Sequence, residues 1–253
     1  MDILAFFAHP DDETILAGGL LAYLSECGYR IHYLCCTRGE GGEMGEPALC
    51  TRDQLGKVRE EEFIAAVKAL GGYKWKLLNF IDPLVGFDNV LYPFVVSADD
   101  VVPYLRDYIQ ENSIDIIISH GSNGEYGHPA HRMVYDSVVS YNQHTDNILP
   151  WYTVQAYYPN SAKPHLLNKD DPADWIVDIR SVFEKKVNAA SAHSTQLDLF
   201  LRRKTIELGR PVTLREVIVT EESYRSVASK NYDPIKSILI EAGIEISIVN
   251  PGN

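Results

Sequence analysis

Residues 3–8, ILAFFA, are six apolar side chains in a row. A strand with one wet face alternates apolar and polar residues, so a run without alternation marks a strand covered on both faces. Such a strand needs helices above and below it, and the chain supplies them. Residues 11–28 (DDETILAGGLLAYLSECG) carry Ile15, Leu16, Leu20 and Leu24 at helical spacing, and Gly28 closes the run. Residues 31–37 (IHYLCCT) read as a second strand. A helix then runs to about Leu70, with Thr51 or Asp53 as its N-cap and Gly71–Gly72 as its stop. Residues 74–80 (KWKLLNF) read as a third strand, and 98–112 as a helix with Pro103 in its first turn. IDIIIS (114–119) is a buried strand, followed by a helix from about Pro129 to Tyr141. TVQAYY (153–158) is another strand, and 179–192 another helix. From Tyr232 the chain reads as a short helix and the strand-like IEISIV.

Alternation of this kind implies right-handed crossovers. The expected fold is α/β, three-layer and Rossmann-like: a mostly parallel sheet with helices on both faces. The expected organisation is one domain over residues 1–253, with a C-terminal extension from about 230. Composition agrees with a globular chain: 253 residues, 45% hydrophobic and 23% charged. Twenty-three basic against 35 acidic residues give a net charge of −12. A field of that sign repels phosphate backbones, so no nucleic-acid partner is expected. Cys27, Cys35, Cys36 and Cys50 form no C-x-x-C pair, which suits a reduced compartment. The opening MDILAFFAHP has no basic n-region, and no run reaches the roughly 18 apolar residues of a membrane span. A cytoplasmic protein is expected; a homo-oligomer is possible.

In open α/β sheets, ligands sit at the carboxyl ends of the strands. Three strand-end loops therefore matter: HPDDE (9–13), TRGEGGE (37–43) and SHGSNGEYGHPAH (119–131). His9 and Asp12 are three apart across a turn begun by Pro10, so they can converge, leaving Asp11 free. A bland reading competes, in which Asp11 or Asp12 only caps the following helix. His128 and His131 are spaced i, i+3 at a second strand-to-helix junction, with Pro129 at a first helical position. Two His and one carboxylate form a facial set with open positions, as catalytic metal sites require. The Gly-rich loop 39–45 matches neither G-x-G-x-x-G nor a Walker pattern, and Glu40, Glu43 and Glu46 disfavour phosphate there.

AHPDDE (8–13) and GEYGHPAH (124–131) together resemble the two signatures of the zinc-dependent N-deacetylases of the PIG-L/LmbE type. That family includes N-acetylglucosaminyl-phosphatidylinositol deacetylases and the deacetylases of mycothiol and bacillithiol synthesis. TRGEGGEMGEP (37–47), VREEE (58–62), NFID (79–82) and KKVNAASAHSTQ (185–196) support the likeness, which covers roughly residues 1–200 with a weaker echo near 222–227.

The resemblance implies removal of an N-acetyl group from an amino-sugar conjugate. It implies His9, Asp12 and His131 as ligands of one metal per chain, Zn²⁺ or alternatively Fe²⁺. Asp11 is implied as the general base, His128 as a second acid–base or oxyanion-stabilising group, and Tyr126 as an aid in polarising the carbonyl. Arg59 and Asp82 match sugar-contacting positions, while His193 falls in a motif without an assigned role. The second signature usually reads H-P-D-H; here Ala130 replaces the carboxylate, which leaves the charge state of His128 open. Two rivals stand beside this expectation: a metallo-phosphoesterase, and a non-catalytic binding module. One full ligand set and an acidic mouth disfavour the first, and retention of Asp11 disfavours the second.

Overall fold

The computed structural model describes residues 1–84, 92–227 and 233–249. Strand β1 (Asp2–Phe7) lies at the centre of the parallel part of the sheet, with β2 (Arg30–Thr37) and β4 (Ile116–Ser119) paired to it in parallel on either side. The parallel set is extended by β3 (Lys74–Phe80) next to β2 and β5 (Trp151–Val154) next to β4. A two-stranded parallel pair, β6 (Ala156–Tyr157) and β7 (Asn168–Pro172), stands apart. Antiparallel strands β8 (Trp175–Asp178), β9 (Glu221–Ser226) and β10 (Ile246–Ile248) complete an eight-stranded sheet ordered β10-β8-β9-β5-β4-β1-β2-β3.

The apolar run at 3–8 is divided between two cores. Ile3, Ala5 and Phe7 pack with Leu20 of α1 (Asp12–Glu26), Phe63 of α2 (Leu55–Ala69) and Ala189 of α6 (Phe183–Ala192). Leu4, Phe6 and Ala8 pack with Leu105 of α3 (Ala98–Asn112) and Val134 of α5 (Pro129–Gln143), which follows the single turn α4 (Gly124–Gly127). A one-residue slip of β1 would exchange the two sets, so both helical layers fix its register. The expected mostly parallel sheet with helices on both faces is what forms. Among the described residues, no helix is long and apolar enough to cross a membrane.

The chain leaves β1 for β2 and β3 on one side, then returns to β4 on the other. The loops after β1 and β4 thus diverge at a topological switch point, where a crevice opens at the strand ends. Both motif-bearing loops sit there.

Several local expectations need correction. TVQAYY is not one strand: Gln155 adopts φ 52° and splits it into β5 and β6. Pro103 is the sixth residue of α3, not in its first turn, and it faces solvent where a lost N–H is tolerated. Helix α2 has Gln54 at its cap position with no side-chain cap bond, because Thr51 and Asp53 bond each other. Helix α6 starts only at Phe183, after a 3₁₀ turn at Arg180–Val182. Strands β8 and β9, and helix α7 (Leu197–Leu208), were not expected.

Candidate metal centre

Three donor groups converge at the switch point. His9 Nδ1 lies 3.2 Å from Asp12 Oδ2, His131 Nε2 lies 3.3 Å from Asp12 Oδ1, and the two ring nitrogens are 3.3 Å apart. A tetrahedron with metal–ligand bonds of ~2.0–2.1 Å has edges of about 3.3–3.4 Å. The His9–His131 separation matches one such edge, and the two histidines approach different oxygens of the Asp12 carboxylate.

Lone-pair accounting separates these groups from their neighbours. His131 Nδ1 lies 2.6 Å from Glu125 Oε2, and His9 Nε2 lies 3.1 Å from Asp82 Oδ1. Each carboxylate accepts from the far side of its ring, so the nitrogens that face Asp12, His131 Nε2 and His9 Nδ1, are the ones a metal would take by displacing their protons. This is the carboxylate–histidine support found behind metal-binding imidazoles. Two further histidines stand close enough to ligate in other groupings, His120 with Asp12 and His131, and His128 with His9 and His131. However, His120 Nε2 accepts the Ala8 N–H at 3.1 Å and its Nδ1 faces Glu125 at 3.0 Å, so both nitrogens are used. His128 Nδ1 accepts the Ala130 N–H at 3.3 Å, capping α5, which puts the ring hydrogen on Nε2. The cluster could therefore hold a metal ion through His9, Asp12 and His131.

Electrostatics follow from burial and neighbours. Burial disfavours charge on His9, but Asp82 and Asp12 outweigh it and lift the ring to about 9. The same carboxylate field favours a dication. Burial, with His9 and His131 adding positive charge nearby, pushes His128 down to about 2, so its imidazole is neutral. Burial also opposes ionisation of Glu125, yet His120 and His131 hold its carboxyl well below the usual range.

Asp11 is held in a conformation it would not choose. Its φ is 109°, a region that favours glycine, and such strain costs about 1–3 kcal/mol. Its N–H donates to Glu13 Oε2 at 3.0 Å, and its Oδ2 accepts from Arg59 Nη2 at 3.0 Å. Arg59 also donates to the carbonyls of Pro10 and Gly39. The side chain of Asp11 makes no cap bond to α1, which removes the helix-cap reading. Burial pushes Asp11 up to about 6, Arg59 pulling against it and Asp12 adding to it. His193, without a role in the sequence, sits 3.1 Å from Glu13 and supports the group that holds the Asp11 N–H.

Every candidate residue lies in or beside this cluster. Tyr126, 54% exposed, stands edge-on to His128 and His131 with ring centroids 5.7 and 5.5 Å away. Arg59 and Asp82, expected to meet sugar, are buried and turned towards Asp11 and His9 respectively; Arg59 Nε alone lacks a protein acceptor. The Gly-rich loop cradles Arg59 and not a phosphate: a Cβ on Gly39 or Gly42 would come 2.0 or 2.4 Å from Arg59 Nη1. Two of the expected acidic-mouth residues are neutralised, Glu40 by Arg38 and Glu43 by Arg202. Sequence reasoning missed Glu125 and His120. Glu125 lies inside the second motif at φ 58°, and its Oε1 accepts from Gly121 N and Asn168 Nδ2.

Known proteins resemble this chain in sequence and in fold. The chain is 29% identical over 237 residues to the 1D-myo-inositol 2-acetamido-2-deoxy-alpha-D-glucopyranoside deacetylase of Rhodococcus opacus, covering 77% of this chain and 81% of that protein. It is 28% identical over 233 residues to the same-named enzyme of Acidothermus cellulolyticus, covering 77% and 79%. Among solved structures, the N,N'-diacetylchitobiose deacetylase of Pyrococcus horikoshii shares the fold with a TM-score of 0.62 at 22% identity, over 90% of this chain and 84% of that one. The 4-carboxy-2-hydroxymuconate hydratase of Pseudomonas putida shares it too, with a TM-score of 0.60 at 23% identity over 92% and 98%. The PIG-L family of GlcNAc-PI de-N-acetylases matches residues 4–142, both motif loops included, and the chain belongs to that family.

Proposed function

We propose that this chain hydrolyses the N-acetyl group of an N-acetylglucosamine-type amino sugar, with one divalent metal per chain held by His9, Asp12 and His131. Zn²⁺ suits the tetrahedral spacing best, and Fe²⁺ is the alternative for a two-His, one-carboxylate set. The observation that supports the reading is the convergence of His9 Nδ1, His131 Nε2 and the Asp12 carboxylate at 3.2–3.3 Å, with a separate carboxylate, Asp11, beside it. A dication bound there would supply Lewis acidity to the amide carbonyl and lower the pKa of a coordinated water towards 7.

The chain's own residues do the rest. Asp11, poised at about 6, takes the proton of the attacking water and returns it to the departing amine. Its strained backbone, fixed by Glu13 and Arg59, keeps the carboxylate from drifting back to a helix-cap position. His128, neutral and with its hydrogen on Nε2, donates to the developing oxyanion; a positioned donor of this kind is worth roughly 3–4 kcal/mol. Tyr126 adds a hydroxyl at the mouth. Arg59 and Asp82 are assigned to orienting Asp11 and His9.

The rival readings lack a supporting observation. A two-metal phosphoesterase needs a second set of free donors, and His120 and His128 are already committed to backbone N–H groups. A non-catalytic module has no use for a strained, restrained carboxylate. The one-domain organisation over residues 1–253 is supported by a single sheet that takes strands from β1 to β10.

Acetate release from N-acetylglucosamine glycosides by metal-loaded protein tests the function. Asp11→Asn keeps size and hydrogen bonding, so metal content should persist while kcat falls about 10²–10⁴-fold. Near-normal turnover by a fully loaded Asp11→Asn protein would remove the base. Hydrolysis of p-nitrophenyl phosphate without acetate release would overturn the deacetylase reading.

A further inference from the structure

The segment KKVNAASAHSTQ (185–196) carries polar side chains that the fold buries: Lys186, His193, Thr195 and Gln196. A buried polar group needs a partner. The partners lie on the two helices that frame Asp11. Lys186 of α6 meets Glu222, whose carboxylate accepts from the Gly19 and Leu20 N–H groups of α1. Thr195, in the 3₁₀ turn Ser194–Gln196, donates its N–H and its hydroxyl to Glu62 of α2 at 2.8 and 2.7 Å. Arg59, which holds the Asp11 side chain, stands one turn before Glu62 on the same helix. His193 closes α6 and reaches the first turn of α1, where its Nε2 lies 3.1 Å from Glu13 Oε1.

This contact with Glu13 bears on the base. Glu13 Oε2 accepts the Asp11 N–H at 3.0 Å, and Oε1 accepts the Thr14 hydroxyl at 2.6 Å. Asp11 and Thr14 lie in the same turn as Glu13 and move with it, so neither ties it to the rest of the molecule. Among the described residues, His193 is the one group from outside this turn that bonds the Glu13 carboxyl. His193 is fully buried, and its backbone is fixed on both sides: its N–H donates to the Ala190 carbonyl, and its carbonyl accepts from Gln196 N. Its Nδ1 has no partner among the described residues, so the polar contacts of the ring all go to Glu13 and Thr14. Asp11 needs such a tie, because φ 109° is not a conformation that the residue keeps unaided. With its N–H released, the backbone can return to negative φ. The carboxyl can then turn to the N–H groups of Glu13 or Thr14, the ordinary place of an N-cap side chain.

Resting on the deacetylase reading, we propose that His193 is a positioning residue for the base: by fixing Glu13 it holds the Asp11 backbone at positive φ, which keeps the Asp11 carboxyl against Arg59 beside the metal cluster. His193 is buried out of reach of any substrate. It acts through Glu13 alone.

Three substitutions test this in zinc-loaded protein, with acetate release from the methyl glycoside of N-acetylglucosamine compared per bound zinc. His193→Leu removes the bond to Glu13. His193→Gln places an amide nitrogen near the position of Nε2, whereas His193→Asn places one near Nδ1 and falls short of Glu13. His193→Leu and His193→Asn should lower kcat by about 10- to 100-fold, the cost of a displaced catalytic group, with KM within about twofold of native. His193→Gln should keep kcat within about fivefold of native, since the donor to Glu13 remains. In an Asp11→Asn background, His193→Leu should cost less than about twofold, because its effect passes through the base. A histidine that only supports the fold would lower kcat by the same factor in both backgrounds. Where His193→Leu does not fold, His193→Asn and His193→Gln carry the same comparison. A kcat within about threefold of native for His193→Leu and His193→Asn, or an equal loss in both backgrounds, overturns the proposal. A crystal structure of His193→Asn gives a readout apart from activity. Asp11 at negative φ, with its carboxyl on the Glu13 or Thr14 N–H, is expected; a φ still near 109° overturns the proposal. If the native protein releases no acetate, the deacetylase reading fails instead, and that crystal structure still decides whether His193 positions Asp11.

Discussion

Replacing Glu125 by Gln alters one atom in a buried side chain and leaves its shape, so it isolates what the carboxylate does. In the native arrangement Oε1 accepts from Gly121 N and Asn168 Nδ2, both at 3.1 Å, while Oε2 accepts from His131 Nδ1 at 2.6 Å and His120 Nδ1 at 3.0 Å. All four partners are donors, and an amide has one oxygen. If that oxygen faces the histidines, the new NH₂ group meets two donors. If it faces Gly121 and Asn168, His131 loses the acceptor that fixes its tautomer. Asn168 Nδ2 also reaches the Val154 carbonyl, so the first arrangement is the cheaper. A buried donor left without a partner costs about 1–3 kcal/mol, and the crowding adds to it, for a total destabilisation of about 2–4 kcal/mol.

The effect on metal binding is separate from that loss. Without a negative charge behind it, His131 is a weaker ligand, and removing such a support weakens metal affinity by roughly 10- to 100-fold. That ratio corresponds to about 1.4–2.7 kcal/mol. Glu125→Gln should therefore lower urea stability with and without metal, and narrow the gap between the two forms by the second amount. Chelator competition gives the affinity, and paired unfolding curves give the stabilities. A metal affinity within twofold of the native protein, together with stability within about 0.5 kcal/mol, would refute both parts of the reasoning.

A second perturbation concerns α1, whose Gly19 and Leu20 N–H groups donate to the Glu222 carboxylate; Lys186 Nζ lies 2.7 Å from the same group, with both side chains buried. Lys186→Met leaves that carboxylate without its counter-ion and should destabilise the fold by about 3–5 kcal/mol, lowering the melting temperature by roughly 6–20 °C; a loss below about 1 kcal/mol would show that the pair is dispensable. Asp2 gives a pH signature: the Arg30 guanidinium, against burial and with help from His32, holds its carboxyl down at about 2. A depressed carboxyl stabilises the fold above its unfolded value near 3.9 and loses that contribution as pH falls through about 2. The stability difference between the native protein and Asp2→Asn should thus shrink between pH 4 and 2, and a difference constant over that range in urea titrations would contradict the assignment.

How much of this was legible in the sequence varies with the signal each residue type leaves. Strands β1, β2 and β4 announce themselves because they are buried on both faces and need uninterrupted apolar runs. Strand β9 hides because EESYRS is polar: Glu222 is buried there with Tyr224 of the same strand and, from far away in sequence, Lys186 and two helix N–H groups. Helix α7 buries no residue, so its apolar side chains, Leu197, Phe200 and Leu201 among them, mark no core-facing stripe. In the site, ligand-type residues at strand ends could be listed from the two motifs, since imidazoles and carboxylates are rare in such runs. The supports could not. Which histidine keeps a free lone pair depends on the Ala8 and Ala130 N–H groups, and backbone donors leave no trace in side-chain identity.

Two residues of the site with positive φ, Asp11 at 109° and Glu125 at 58°, follow β1 and β4, on opposite sides of the switch point. Strain of about 1–3 kcal/mol per residue persists only where surroundings over-determine it. At Asp11 the restraint comes from Glu13 and Arg59, and at Glu125 from Asn168 and the two imidazoles. Both loops are followed by helices locked to the sheet, and α1 is held additionally by the Glu222 carboxylate inserted at Gly19 and Leu20. The first turn of α1 therefore cannot slide to relieve Asp11. Ala130 fits the same logic. With no carboxylate at that position, His128 Nδ1 turns to its own helix N-terminus, and the hydrogen it carries on Nε2 is fixed without any ionised partner. A neutral donor held by a backbone cap keeps its charge as pH changes, so the chain concentrates its proton transfer on the one carboxylate that the fold holds under strain.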